Sequence, residues 1–474
     1  MKNLVWFRCD LRVKDNPALG AACSGDEVIA IYIWVDDYRE SFPIAWRKVD
    51  FIRRQLQDLT LSLQSLNIPL IVARVDRAEQ IANYLSEFIH NNNLQGLYFN
   101  NEYPWYERLR DKQVTQKLRG ESIEVFRFDD RLIMPPQSIR NGSGSPYKVF
   151  TPYKNRWLSL VTQDAVSPLS VPASKAQPIT ENISAPARVD LSNADCFGLS
   201  PFAFDDLLWP VGEVYAEGLA DKFFENALED YHENRDFPAR AGTSTLSPYL
   251  AIGMISARQL VDKLLTKYGS FSALPLGAST WLNEIIWREF YQHLIVDFPF
   301  LCKEKPMQEK TIFFPWRGET PEYFAWTQGQ TGIPIVDAAM KQLLTTGWMH
   351  NRLRMVVASF LTKNLRVDWR LGERFFMEHL IDGDFAANNG GWQWSASTGA
   401  DAAPYFRVFN PVAQSERFDP DTDFLLEWLP QLAELPKKMR HNPSGKSYIA
   451  PIVDLKQSRK ETIALFAQAE TGFK

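Results

Sequence analysis

Five short apolar runs in the first 130 residues constrain this chain more than any other feature. LVWFR (4–8), EVIAIYIW (27–34), PLIVARV (69–75), LQGLYFN (94–100) and IEVFRF (123–128) read as buried strands. Helix-length stretches separate them, notably 44–66, 77–92 and 105–119. Such alternation requires right-handed crossovers, so residues 1–130 are expected to form an α/β domain on a doubly wound, parallel, five-stranded sheet. No G-x-G-x-x-G follows the first run, where FRCDLRVKDN stands instead. This half is therefore not expected to hold a nucleotide in the usual dinucleotide manner.

Residues 164–201 are rich in Pro, Ser and Ala and lack periodicity, and a linker over 131–205 is expected to wrap the surface between two domains. From about 211 onward the patterns are helical: 213–231, 256–268, 280–296, 333–346, 350–365, 369–380 and 458–470 carry apolar residues at three- and four-residue spacing. An all-α domain over 206–474 follows, and two domains suit a chain of 474 residues. The opening MKNLVWFRCDLR is broken by charge after Phe7, and no run of about 18 apolar residues occurs. Neither a signal peptide nor a membrane span is expected. Cys9, Cys23, Cys196 and Cys302 are scattered without C-x-x-C spacing, which fits a reducing cytoplasm and no zinc site. The six histidines form no H-E-x-x-H pair, so no metal centre is expected. A formal net charge of −5 argues mildly against a polyanionic partner without excluding one, because local field steers binding.

The stretch 380–410, LIDGDFAANNGGWQWSASTGADAAPYFRVFN, holds two acids, two amides and two tryptophans on no common helical stripe. It reads either as a turn between core helices or as a close approach to a planar, hydrogen-bonding ligand such as a flavin or a base. Three further clusters have two readings each. Thr243, Ser244, Thr245 and Ser247 precede a helix-like segment, as a cap or as an anion site suited to a pyrophosphate. Glu284, Trp287, Arg288 and Tyr291 fall at i, i+3, i+4 and i+7 on one helix face, as a surface ion pair or as a binding face. Trp348, Asn351, Arg352 and Met355 lie along another face beside Arg354, as a packed helix with a basic edge or as a phosphate-and-base surface.

TSTLSPYLAIG, WLNEIIWREFY, GWMHNRLRMVVASFL, DWR and IDGDFAANNGGWQWSASTGADAAPYFRVFNP resemble the class I cyclobutane pyrimidine dimer photolyases of the photolyase–cryptochrome family. The opening LVWFRCDLRVKDNPAL resembles that family too, and the likeness spans the chain apart from about 164–200. It implies a helical domain that buries a folded FAD, active as FADH⁻. Tyr231, Thr243, Ser244, Leu246 and Ser247 would hold its phosphate and ribose side. Trp281, Arg288, Trp348, Arg354, Asp382 and Asp384 would surround the rest, and Asn388 would lie beside the reactive ring nitrogen. Asp382 would be the charge partner of Arg354 and not a metal ligand.

The resemblance further implies a carbon–carbon lyase that flips a damaged dinucleotide out of double-stranded DNA, with single strands also accepted. Glu284 would hydrogen-bond the dimer base, Asn351 and Met355 would contact it, and Trp287 and Trp394 would form an apolar wall. Arg235, Arg352 and Arg407 would take backbone phosphates. Trp392, Trp369 and Trp316 match the family's chain of indoles that reduces flavin under light, a use for some of the 15 tryptophans. Enzymes for 6-4 photoproducts carry histidines where Asn351 and Met355 stand, which points to cyclobutane dimers. A blue-light receptor of the same family, signalling through a partner, is the alternative, and the intact Glu284–Trp287 pocket argues against it. Members with a folate antenna carry an Asn-Glu pair where this chain has Tyr106-Glu107, while Cys302-Lys303 matches the other side of that cleft. The expected second chromophore is 5,10-methenyltetrahydrofolate, with a deazaflavin or none as alternatives. A cytoplasmic monomer is expected.

Overall fold

The computed structural model describes residues 2–37, 43–175, 183–198, 208–443 and 448–472. Strands β1 (Lys2–Phe7), β2 (Glu27–Val35), β3 (Leu70–Val75), β4 (Gly96–Asn100) and β5 (Glu124–Phe128) form one parallel sheet in the order β3-β2-β1-β4-β5. Alternate side chains leave it in opposite directions: Val5, Phe7, Val28 and Ala30 enter one core, and Leu4, Trp6, Ile29 and Ile31 enter another. Both faces of β1 to β4 are covered, which is why those strands read as apolar runs, while edge strand β5 buries only Val125. Helices α1 (Pro17–Ala22), α2 (Trp46–Gln64), α3 (Ile81–Asn91) and α4 (Trp105–Gly120) make the crossovers. Only α1 was not expected, because six residues capped by Asn16 are too short to show a period.

Strand order reverses between β1 and β4, and ligands of open α/β sheets bind in the crevice at that point. Here the crevice is filled. Arg8 donates to the Asn100 carbonyl and to Asp111 (3.1 Å), Asn100 donates to Asp10 (2.6 Å), and Arg110 pairs with Glu102 (2.7 Å).

The expected linker is more ordered than its composition suggests. Residues 150–160 form α5 (Phe150–Leu160), packed on the long helix of the second half. The amides of Ile133 and Met134 and the indole N–H of Trp157 (2.7 Å) converge on the buried carboxylate of Glu289. The expected boundary between 205 and 206 lies outside the described residues.

The second half is helical, and among its described residues only an isolated bridge, Arg317 to Val367, has β character. Its longer helices are α6 (Glu213–Asn226), α7 (Ala257–Tyr268), α8 (Leu276–Asp297), α9 (Pro334–Thr346), α10 (Asn351–Ser359), α11 (Trp369–His379), α12 (Phe385–Ala396) and α13 (Leu455–Gly472). Helix α10 runs directly into a π-helical turn, Phe360–Asn364. One face of the sheet shares a continuous core with α8, while a separate core surrounds Trp326, Trp369 and Trp392. Among the described residues no helix is long and apolar enough to cross a membrane.

Neither a turn nor an irregular stretch lies at the heart of 380–410: residues 385–396 are α12. The missing stripe has a simple cause. Helix α12 buries Ala386, Asn388, Asn389, Trp392, Gln393 and Ser395, so apolar and amide side chains are covered alike and no amphipathic period survives. Asp384 starts it by accepting from the Ala387 amide (3.0 Å), and Gly390 lets the ring of Tyr291 close in, where a Cβ would stand 2.1 Å from that ring.

Candidate functional site

Helix α12 packs against both α8 and α10, and these helices with the loop before α12 outline a candidate cleft. On α8, Trp281 is buried against Phe223 (5.7 Å) and Phe224 (5.2 Å), fixing the helix. One turn on, Glu284 faces the opening with 32% of its side chain accessible, while burial still raises its carboxyl and Arg235 pulls it back down. That combination marks a walled but open site. Trp287 lies flat on Phe150, with ring centres 3.7 Å apart and planes within 6°, and beside Tyr291 at 5.4 Å.

Glu284 has a charged partner. Arg235 donates to it at 2.7 Å and lies over the Tyr231 ring at 5.3 Å. Arg235 also approaches Asp236 (3.8 Å), which pairs with Arg352 (2.7 Å). This line of alternating charge crosses from α8 to α10, and Arg352 ends it over Phe418 at 4.5 Å. Asn351 is exposed at the start of α10 and Met355 is half-buried one turn later. Trp394, near the end of α12, is half-buried, and Arg407 is exposed with no ion-pair partner among the described residues.

On α10, Arg354 donates to Asp382 Oδ2 (2.8 Å) and to the Met349 carbonyl (2.8 Å). Asp382 Oδ1 is buried without a partner, so an N–H donor belongs there. Asn388 donates through Nδ2 to the Glu373 carbonyl (2.9 Å), which leaves its amide oxygen free to accept. Asp384 is more committed than the sequence suggested: besides capping α12 it accepts from Arg131 (2.7 Å) and Gln292 (3.0 Å). Arg288 donates to the Arg131 carbonyl (2.5 Å), and burial with the neighbouring Arg131 lowers its pKa. Two guanidiniums sharing one carboxylate would be relieved by an anionic or electron-rich occupant. At the rim Thr243 and Ser244 are half-buried, Leu246 is buried, and Ser247 accepts from the Trp348 indole (3.3 Å). Hydroxyls, guanidiniums, an orphan carboxylate oxygen and a free amide oxygen fit the polar edge and phosphates of a flavin dinucleotide.

Trp392 is 2% exposed, edge-on to Phe376 (4.9 Å) and Trp326 (6.1 Å). Its ring rests on Gly372, where a Cβ would stand 2.2 Å away, and Trp369 lies three residues before that glycine on α11. Trp316 packs at the edge of the same core, 4.3 Å from Phe314.

The two segments expected to hold a second chromophore touch through Trp105. The amide of Trp105 points at Cys302 Sγ (3.4 Å), and Lys303 lies over the Trp105 ring at 4.9 Å. Tyr106 is 42% exposed there, and burial with nearby Glu102 pushes the Glu107 carboxyl up to about 7.

Sequence reasoning missed Phe150, Arg131, Asp236 and Glu373. Phe150 and Arg131 sit in a stretch read as linker. The other two carry no spacing signal, because their partners are distant in sequence or act through a backbone carbonyl.

Comparison with known proteins adds an independent line. Residues 3–173 match the family described as DNA photolyase, and 281–468 that described as FAD binding domain of DNA photolyase. The chain is 43% identical to the deoxyribodipyrimidine photo-lyase of Escherichia coli K12, over 99% of each chain, and 44% identical to that of Vibrio cholerae, over 98% and 99%. Among solved structures it is similar to a bacterial class III photolyase from Agrobacterium tumefaciens (36% identity, 99% and 98% covered, TM-score 0.89). It is also similar to a cryptochrome from Synechocystis (26% identity, 98% and 99% covered, TM-score 0.86).

Proposed function

The chain belongs to the DNA photolyase family, and from that premise we infer that it repairs cyclobutane pyrimidine dimers in DNA by light, with FAD as its working cofactor. The observation that carries this reading is a grouping on packed helices: Glu284 and Trp287 on α8, the Arg354–Asp382 pair running from α10 to the loop before α12, and Asn388 on α12. When bound, FAD in its reduced form would supply a photoexcitable electron donor for splitting the cyclobutane ring and would take the electron back afterwards.

The chain's own residues do the rest. Trp287, stiffened by Phe150, and Trp394 offer flat apolar surfaces to a flipped dinucleotide, whose poor stacking in the duplex lowers the cost of extrusion. Glu284, its carboxyl raised by burial, hydrogen-bonds a dimer base, with Asn351 and Met355 alongside. Arg407, and Arg235 and Arg352 after exchanging their carboxylate partners for phosphate, grip the backbone. Asn388 offers its amide oxygen to the ring edge of the cofactor, and Asp382 Oδ1 accepts from it. Trp392, Trp369 and Trp316 lead electrons inward through the second core. The second chromophore is a folate held by Glu107, Lys303, Cys302 and Tyr106; the filled crevice at the sheet's switch point speaks against a nucleotide-like one there. Double-stranded DNA is the substrate, bound by a monomer.

The test is an absorption spectrum of the purified protein followed by blue light with thymine-dimer duplex. Flavin bands with recovery of thymine absorbance are expected, and an added near-ultraviolet band reports the antenna. Flavin without repair would overturn the reading in favour of a photoreceptor.

A further inference from the structure

We propose that Lys363 is a positioning residue for substrate capture, its buried ammonium fastening the 397–409 loop that links three DNA-facing side chains. The inference rests on reading the cleft as the dimer site.

Lys363 is fully buried (0% exposed), in the π-helical turn that follows α10. A buried lysine normally needs a carboxylate, and this one pairs with none among the described residues. Its Nζ donates instead to Ser397 Oγ (2.6 Å), the Arg407 carbonyl (3.1 Å) and the Pro404 carbonyl (3.5 Å). All three acceptors belong to one loop. A residue serving only to fill the core would be apolar here. The anchor side is equally definite. Thr462 of α13 donates to the Lys363 carbonyl (2.5 Å), and Asn364 donates to Ser458 (3.0 Å). The π turn therefore gives Lys363 a fixed base, and π-helical turns recur at functional sites.

Within the loop Ser397, the left-handed cap of α12 (φ 63°), donates to the Ala403 carbonyl (2.5 Å), so the hydroxyl that Lys363 holds is itself tied across the loop. Asp401 is left-handed too (φ 47°). The loop's outputs reach three candidate DNA contacts. The Ala403 amide donates to the Trp394 carbonyl (3.2 Å), Asp401 accepts from the Phe150 amide (3.1 Å) beneath Trp287, and Arg407 itself projects to solvent. Burial, with Arg407 adding repulsion, brings Lys363 down to about 7.

The test compares wild type with Lys363→Met and Ser397→Ala, all carrying FAD. In the DNA-free proteins, amide hydrogen exchange over 403–409 should rise about tenfold in Lys363→Met. The Kd for a duplex with one thymine dimer should weaken about tenfold, since the loop must then be ordered on binding. Repair per absorbed photon at saturating DNA should stay within about twofold, a split that general destabilisation would not give. If Lys363→Met fails to retain FAD, Ser397→Ala decides, with the same changes at about threefold. Unchanged exchange and unchanged Kd in a folded variant would overturn the inference alone. A wild type that neither binds nor repairs the duplex would overturn the reading of the cleft and the inference with it.

Discussion

Glu284 divides its carboxylate between Arg235 and the cleft, and the division has separable consequences. In Glu284→Ala, Arg235 keeps only Asp236, so DNA affinity should hold or rise slightly while FAD stays bound. Repair per photon should fall about tenfold, the scale of one charge-assisted hydrogen bond. Lost affinity with repair per photon unchanged at saturating DNA would place Glu284 in binding alone. Glu373 bears on stability instead. Burial raises its carboxyl to about 7, against the Asn389 amide (2.9 Å) and the charge of Arg370. Its folded pKa lies above the unfolded one, so its contribution is complete below the ordinary carboxyl range and is lost as pH rises through 7. Glu373→Gln should therefore gain about 3 kcal/mol relative to wild type between pH ~5 and ~7.5 in urea unfolding; parallel profiles would assign the titration elsewhere. Spacing alone put Glu284, Trp287 and Arg288 on one face. It could not reveal that Arg235, 49 residues earlier, would hold Glu284, or that Phe150 would back Trp287, because those contacts exist only after folding.

At the scale of elements, what could be read depended on how each segment is covered. Strands β1 to β4 were legible because both faces are buried, and α10 and α11 because one face is. Helix α12 was not, since burial on nearly every side erased its period. It meets α11 at Gly372, and a methyl there has no free path past the Trp392 ring, which would be 2.2 Å away. Gly372→Ala should cost about 1–3 kcal/mol by overpacking, read as a lower melting temperature. It should also slow light-driven reduction of oxidised flavin by displacing Trp392. Trp316→Phe is the control: stability near wild type, photoreduction stopped, and repair by chemically reduced enzyme retained. Photoreduction surviving in Trp316→Phe would route the electron through another residue.

For the whole molecule, a net charge of −5 has to be reconciled with a polyanionic substrate. The ion pairs resolve it. Most arginines near the cleft are already neutralised: Arg352 by Asp236, Arg354 by Asp382, Arg131 by Asp384. Arg407 is exposed and unpaired among the described residues, so it meets phosphate without first giving up a carboxylate. Each phosphate neutralised releases condensed counterion and adds about 0.9 to the slope of log Kd against log salt. Arg407→Ala should therefore reduce that slope by about one unit on dimer-containing duplex. Arg352→Ala should reduce it by less, because breaking the pair with Asp236 returns a negative charge to the interface. Titrations between ~50 and ~200 mM salt would separate the two. Equal slopes for both variants would mean that Asp236 leaves the interface when DNA arrives, and that the charge line from Glu284 to Arg352 opens as a unit.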